Sequence, residues 1–446
     1  MKKSIFILVM CFALKSIAQV NDTINHQKGF TIHAQTTVIN QTKAGFNAPY
    51  SGDNSLVTDN ESKTSMTGTL YLGAKLWKGA SIYLNPEIAG GSGLSEALGL
   101  GGATNGETFR IGNPEPKIYV ARMFFKQIFD LNKGEHKKDI QNYFHNHSDF
   151  NQLDEYIPNN YLTFTIGKVS LADFFDDNRY SHDARTQFMN WGLMANGAWD
   201  YAANTRGYTP AIVLEYVTPK HELRYGTALL PLLANGNDMN WNYPKSSSHN
   251  LEYTYKFSIN KRPGAVRALT FFNTTYMGNY EKSIALNPFS PDTKQVRVHG
   301  GTKFGFGLNA EQELANDFGV FARLSWNDGK YETWAFTEID RSFSLGGVLN
   351  GNRWNRKSDV LGLAYLVNGL SKPHQDYLKA GGKGFMLGDG YLKYTPEHIV
   401  ETYYSAELVK NQMYLTGTYQ LILNPGYNAD RQGPVNVFSV RVHCRI

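Results

Sequence analysis

The chain has 446 residues, with 44 Lys and Arg against 39 Asp and Glu, a formal net charge of +5 and two cysteines, Cys11 and Cys444. That balance excludes a lysine-rich nucleic-acid face, and the cysteine usage excludes a disulfide-stapled fold. With 42 Gly, 27 Tyr and 26 Phe and a mean hydropathy of −0.40, the chain is too polar for one large packed core and suits strands that show lipid one face and water the other.

Lys2 and Lys3, the apolar run Ser4 to Leu14 and the small-residue stretch Ser16-Ile17-Ala18 read as a secretory signal cut after Ala18. The apolar run is about half of the ~20 residues a membrane helix needs, and Lys15 interrupts its end. Cys11 sits inside that run with no small residue before it and reads as an ordinary signal residue. Removing residues 1–18 takes three lysines, lowers the net charge from +5 to +2 and leaves Cys444 alone, so no intrachain disulfide forms. Residues 19–446 are expected to form one domain.

No later stretch is apolar enough for a membrane helix, so membrane insertion must be made by strands closed on themselves. Phe30, Ile32, Ala34, Thr36 and Val38 alternate with Thr31, His33, Gln35 and Thr37, and Leu70, Leu72, Ala74 and Leu76 with Tyr71 and Lys75. Tyr119, Ala121, Met123 and Phe125 flank Arg122, and a strand is read at Tyr161 to Val169. Leu251, Tyr253, Tyr255 and Phe257 alternate with Glu252, Thr254 and Lys256. Phe304, Phe306 and Leu308 alternate with Lys303 and Asn309, and Val320, Ala322, Leu324 and Trp326 flank Arg323. Val266 to Met277 and Val360 to Val367 are apolar on both faces and are expected to lie against an inward-folded loop or a neighbouring subunit. In the last strand Phe438, Val440, Val442, Cys444 and Ile446 oppose Arg441, His443 and Arg445. The count is about sixteen, an even number as single-chain bacterial barrels require. The expected fold is all-β, a transmembrane antiparallel β-barrel.

The connections give direction. Lys78 to Ala80, Thr218 to His221, Asn260 to Gly264, Ala315 to Phe318 and Val409 to Asn411 are short and fall in one phase, expected to be periplasmic. Thr42 to Met66, Ala89 to Pro116, Ser170 to Ala211, Gly278 to Thr302 and Asn368 to Glu397 are long and fall in the other, expected to be extracellular. Residues 126–160 break the pattern as a long, hydrophilic connection in the periplasmic phase. Its His145 and His147 lack a nearby third ligand, so no metal and no cofactor are expected.

The loop at 170–211 is expected to fold into the lumen and narrow it. Aromatic faces stack on a pyranose ring, and carboxylate and guanidinium groups take its hydroxyls in paired hydrogen bonds. Trp191 and Trp199 offer the stacking; Asp173, Asp177, Arg179 and Arg206 offer the pairing. Arg122, inward and mid-strand, and Arg110, on a loop that can dip inward, are candidates to set the pore field, either one alternatively pairing with an Asp or Glu on the opposite wall. Ser181-His182-Asp183 places three triad residue types side by side, but neighbouring side chains point apart, so no enzyme is expected. The glycine runs at 90–93 and 381–384 lack a following helix pattern and read as loop tips.

Several blocks together resemble the carbohydrate-selective porins of the OprB type: Tyr50-Ser51-Gly52, Asn85-Pro86-Glu87, residues 106–110, Gly112-Asn113-Pro114, Leu171 to Arg185, Asn190-Trp191 through Gly207-Tyr208, residues 384–390, Glu401 to Tyr404 and Asn424 to Asn428. The resemblance implies a sixteen-stranded outer-membrane barrel passing glucose and related sugars by facilitated diffusion, with Arg110, Trp191 and Arg206 fitting a constriction of arginine and tryptophan. Outer-membrane lipid, lipopolysaccharide and the barrel-assembly machinery are the other expected partners, the oligomeric state staying open between monomer and trimer. A general porin and a barrel hydrolase are the alternative functions.

Overall fold

The computed structural model describes residues 29–110, 114–132, 151, 153 and 157–446; the expected signal at 1–18 lies outside them. The strands are β1 (Phe30–Lys43), β2 (Glu61–Trp77), β3 (Ala80–Gly91), β4 (Lys117–Asp130), β5 (Tyr161–Val169), β6 (Thr209–Val217), β7 (His221–Ala228) and β8 (Ser247–Ile259). They continue as β9 (Arg262–Met277), β10 (Val298–Ala315), β11 (Phe318–Asn327), β12 (Arg341–Gly351), β13 (Arg356–Gly369), β14 (Glu397–Val409), β15 (Met413–Leu423) and β16 (Val435–Arg445). Each pairs antiparallel with its sequence neighbours, and β1 pairs with β16, so the sheet closes into a sixteen-stranded barrel. Ile446 extends the seam by exchanging backbone hydrogen bonds with Ala34 at 3.0 and 3.1 Å.

The dyad alternation sorts side chains as the sequence predicts, but the inner face does not meet open water. On β8, Tyr253 is 44% exposed on the outer face while Glu252 and Thr254 on the inner face are each 1% exposed. A charged group facing a wide aqueous pore stays wet, so these inward positions are covered by protein. The cover comes from the loops. Short connections join β2–β3, β6–β7, β8–β9, β10–β11 and β14–β15 at one end of the barrel. At the other end the long segments 44–60, 92–110, 170–208, 278–297 and 370–396 leave the wall, together with 229–246, 328–340 and 424–434, which alternation alone does not single out.

Both strands that read as apolar on two faces owe it to this filling. Leu269 and Phe271 of β9 share a buried cluster with Phe175 and Trp199, and Ala364 and Leu366 of β13 share another with Phe188 and Leu193. The inner partner is therefore the folded-in loop rather than a neighbouring subunit. Of the connection at 126–160, residues 126–130 belong to β4 and β5 begins at Tyr161; most of the rest, His145 and His147 included, lies outside the described residues.

The glycine runs are not loop tips. Gly90 and Gly91 pair with Met66 and Ser65 at the end of β3, and Gly91 has φ +95°, where a methyl group would fall 2.0 Å from Thr64 O. At Gly384 a methyl group would fall 1.7 Å from Glu338 Oε1. The missing side chain makes room for a carboxylate that accepts the Met386 and Leu387 amides at 3.0 and 2.6 Å.

Leu308 sits at the centre of the outward set Phe304, Phe306, Leu308 and Ala310 on β10. Leu308→Arg is expected to destabilise the bilayer-inserted barrel by about 2–4 kcal/mol, measured by reversible denaturant unfolding in lipid vesicles, with Lys220→Arg, on a short turn, unchanged.

Candidate functional site: the loop-filled lumen

Segment 170–208 contains little regular structure, the short helix Trp191–Met194 and the 3-10 turn Leu171–Asp173 being its elements among the described residues. Its backbone N–H and C=O groups must find partners away from water, and the barrel wall supplies them. Glu252 of β8 accepts the Asp176 amide at 2.7 Å, and Glu311 of β10 accepts the Arg179 amide at 2.7 Å. Glu401 of β14 accepts the Met189 and Asn190 amides at 2.6 and 2.9 Å. Guanidinium groups take the carbonyls. Arg323 of β11 donates to Leu193 O at 2.8 Å and Ser181 O at 2.6 Å, and Arg441 of β16 donates to Ala184 O and Gln187 O, both at 2.8 Å. Side-chain amides complete the set: Asn327 Nδ2 donates to Ala198 O at 3.0 Å and Asn309 Nδ2 to Asp177 O at 3.1 Å.

Two buried ionic centres lock the segment further. Asp176, 1% exposed, accepts from Arg323 Nε at 3.1 Å and from the Asn196 amide at 2.6 Å. Arg185, on the same loop, reaches the opposite wall and binds Glu87 of β3 at 2.9 Å and Glu107 at 2.7 Å. Glu87 also accepts from Thr69 and Tyr119, both at 2.5 Å, and from the Tyr208 hydroxyl at 3.1 Å. Burial works against the charge on Arg185, and Glu107 and Glu87 overcome it, holding the guanidinium well above its ordinary range. Neighbouring loops seal the long-loop end. Asp200 pairs with Lys303 at 3.3 Å and accepts the Trp334 and Ala335 amides at 2.9 and 2.8 Å.

The candidate residues fall into three groups. Arg122 donates from Nε and Nη2 to the two Asp173 oxygens at 2.6 and 2.5 Å and lies 5.2 Å over the Tyr208 ring. Its partner is thus an acid on the loop, not one on the opposite wall. Arg206 lies 4.0 Å over the Tyr119 ring beside them. Arg179 is elsewhere, paired with Glu313 at 3.0 Å with 30% of its side chain exposed, and Asp177 adjoins it near Arg267. Trp191 and Trp199 form the third group, and the expectation that they stack on a sugar is corrected. They are 5% and 3% exposed, with Trp191 stacked on Phe336 at 4.7 Å and Trp199 against Tyr201 at 4.8 Å, its Nε1 bonded to Asn250. Their faces are covered by protein, so they pack the plug and offer no platform to a sugar. Arg110 ends the turn Gly106–Arg110, and its side chain lies outside the described part of the structure. Ser181 Oγ donates to Leu193 O at 2.6 Å rather than to an imidazole.

Below the plug a cavity of ≈ 310 Å³ opens at the short-turn rim. Phe318 and Tyr414 supply partly exposed aromatic surface, with the buried Tyr180 and Tyr403 behind it, and Arg179, Glu313 and Asn350 supply polar groups.

A family model described as carbohydrate-selective porin, OprB family, matches residues 53–445. The chain belongs to this family. Its fold is similar to Pseudomonas putida OprB in the high-pH structure, with TM-score 0.71 and 16% identity over 95% of this chain and 96% of that one. The low-pH structure of the same protein gives 0.50 and 12%, covering 95% of each chain, and the outer membrane channel DcaP of Acinetobacter baumannii gives 0.50 and 9%, covering 94% and 97%. At such identities the likeness is one of fold. No curated protein sequence matches. The porin is a carbohydrate channel of the bacterial outer membrane, and family and fold mark a channel rather than an enzyme.

The residues that hold this porin's loop were mostly not singled out from sequence. Glu252, Arg323 and Arg441 stood at inward positions of the alternation, and an isolated charge at mid-strand parity was the available signal. Arg185→Leu is expected to destabilise the porin by about 3–5 kcal/mol, because Glu87 and Glu107 stay buried without their cation. Unfolding in detergent monitored by heat-modifiable migration measures it, with Lys245→Ala unaffected.

Proposed function

We propose that sugars cross this porin passively, as monosaccharides or small oligosaccharides, from the long-loop side past Arg122, Asp173 and Arg206 into the cavity at the short-turn rim. The long loops are extracellular and the short turns periplasmic in this reading, and residues 1–18 direct export before the assembly machinery inserts the barrel. Arg179 and Asp177 line the route to the cavity, and Arg110 stays a candidate on the family resemblance of its block alone.

One observation carries the reading. The cavity combines the partly exposed rings of Phe318 and Tyr414 with an Arg–Glu pair and neutral hydrogen-bonding groups, the mixture that a ring with one apolar face and a rim of hydroxyls requires. Its volume falls at the lower end of the range for small-molecule sites, about 300–1,000 Å³. The pairs Arg122–Asp173 and Arg179–Glu313 bring opposite charges together along the route, and a neutral polyol exchanges its hydroxyls against these pre-formed partners. Weak contacts of this kind allow release as well as capture.

In planar bilayers, a neutral hexose is expected to lower the single-channel current of the wild type, and Arg179→Ala is expected to weaken that block by about tenfold, the loss of one charge-assisted hydrogen bond. Liposome swelling across hexoses, amino acids and salts separates the possibilities. Equal rates for all solutes of one size mark a general porin and overturn the selective reading.

A further inference from the structure

The inner wall carries arginines of two kinds. On β4, β7, β9 and β11, Arg122, Arg224, Arg267 and Arg323 each pair with a carboxylate, at 2.5, 3.0, 3.3 and 3.1 Å. On β16 the inward Arg441 and Arg445 meet neutral partners among the described residues. Arg441 is fully buried and donates to Ala184 O, Gln187 O and the Thr416 hydroxyl. Arg445 is half-buried and lines the cavity at the short-turn rim. Its Nε donates to Asn411 O at 3.2 Å and its Nη2 to the Tyr414 hydroxyl at 3.4 Å, with the guanidinium 5.5 Å over the Tyr414 ring. Three of its five N–H donors stay open. The carboxylates around it are committed elsewhere. Glu313 pairs with Arg179 at 3.0 Å, and Asp317 with Arg353 at 2.7 Å. Asp183 accepts the Arg185 amide at 3.0 Å and the Thr186 hydroxyl at 2.9 Å. Glu407 accepts the Asn411 amide at 2.6 Å and the Tyr414 hydroxyl at 3.4 Å. Arg185, also on the lining, is held by Glu87 and Glu107.

We propose that Arg445 binds the carboxylate of a hexuronate, a pyranose ring carrying one carboxyl group, and so admits acidic sugars to the cavity as well as neutral ones. The cavity presents this one guanidinium without a carboxylate against it, beside the carboxamide of Asn350 and the partly exposed ring of Phe318. Two parallel N–H groups of a guanidinium match the two oxygens of a carboxylate, and such a bond is about twice as strong as the neutral one that a hydroxymethyl group makes in the same place. Asn350 is left for a ring hydroxyl. The proposal rests on the reading that sugars pass this cavity and adds to it the charge of the solute.

The test is block of the single-channel current in planar bilayers by glucose and by glucuronate, which share a ring and differ only at the sixth carbon, at matched ionic strength in about 0.1 M KCl. Wild type is expected to be blocked by glucuronate at about tenfold lower concentration than by glucose, the gain of one charge-assisted contact. R445Q is expected to bring the two sugars to equal block, with heat-modifiable migration verifying that it folds. Salt supplies a second measurement that needs no variant: raising KCl to about 1 M is expected to shrink the glucuronate advantage below about threefold. Acetate, a carboxylate without a ring, is expected to block far less than glucuronate. Equal block by the two sugars in wild type, an advantage undiminished in R445Q or in high salt, or acetate as effective as glucuronate overturns the proposal. An effective glucuronate beside an ineffective glucose supports this site and overturns the neutral-sugar route, whereas no block by either sugar overturns both.

Discussion

A backbone that leaves the sheet of a barrel and enters its lumen must have its N–H and C=O groups satisfied by something other than a strand neighbour. This porin meets that requirement with inward charges on the wall. Carboxylates on β8, β10 and β14 accept loop amides, and guanidinium groups on β11 and β16 take loop carbonyls. Each bond to an ionised group is stronger than a neutral one, and each leaves a buried charge exposed to a severe penalty if its partner is lost. The loop is held in one place because the alternatives are expensive.

The same arrangement decides what remains for transport. Charges that sequence reasoning assigns to a solute are partly consumed by structure: Asp173 closes on Arg122, and Trp191 and Trp199 disappear into aromatic packing with Phe336 and Tyr201. The lumen is narrowed to a packed plug with a cavity beneath it, and the surfaces left to a sugar are tyrosines and ion pairs at the margins. Blocks far apart in sequence converge here for a structural reason. Glu87, Glu107, Arg185 and Tyr208 come from four of them and meet around one buried guanidinium.

Much of the fold was legible from residues alone. Period-two alternation located the wall, as on β8, and the phase of connections separated a short-turn rim from a long-loop rim. The apolar double faces of β9 and β13 also signalled an inner partner. The site was less legible. A tryptophan in a loop has the same composition whether it stacks on a sugar or on Phe336, and only tertiary burial tells the two apart. Asp176 and Asp177 are adjacent and chemically identical, yet the first is the buried ion-pair partner of Arg323 and the second stands half-buried beside it. Which of two neighbours points at the wall follows from a backbone path that has no period to read. The glycines at 90–93 and 381–384 misled for a related reason: they are placed by close approach of other chain segments, which leaves no local pattern.

Wall charges, and not the loop's own structure, hold the plug in the lumen. Single-channel conductance of Arg323→Ala in planar bilayers puts this to the test, because that side chain releases Leu193 O, Ser181 O and Asp176 together while leaving every strand pairing in place. A larger and noisier conductance is expected, with the barrel still folded. A conductance identical to wild type in a folded barrel would show that the plug stays in place without its wall anchor.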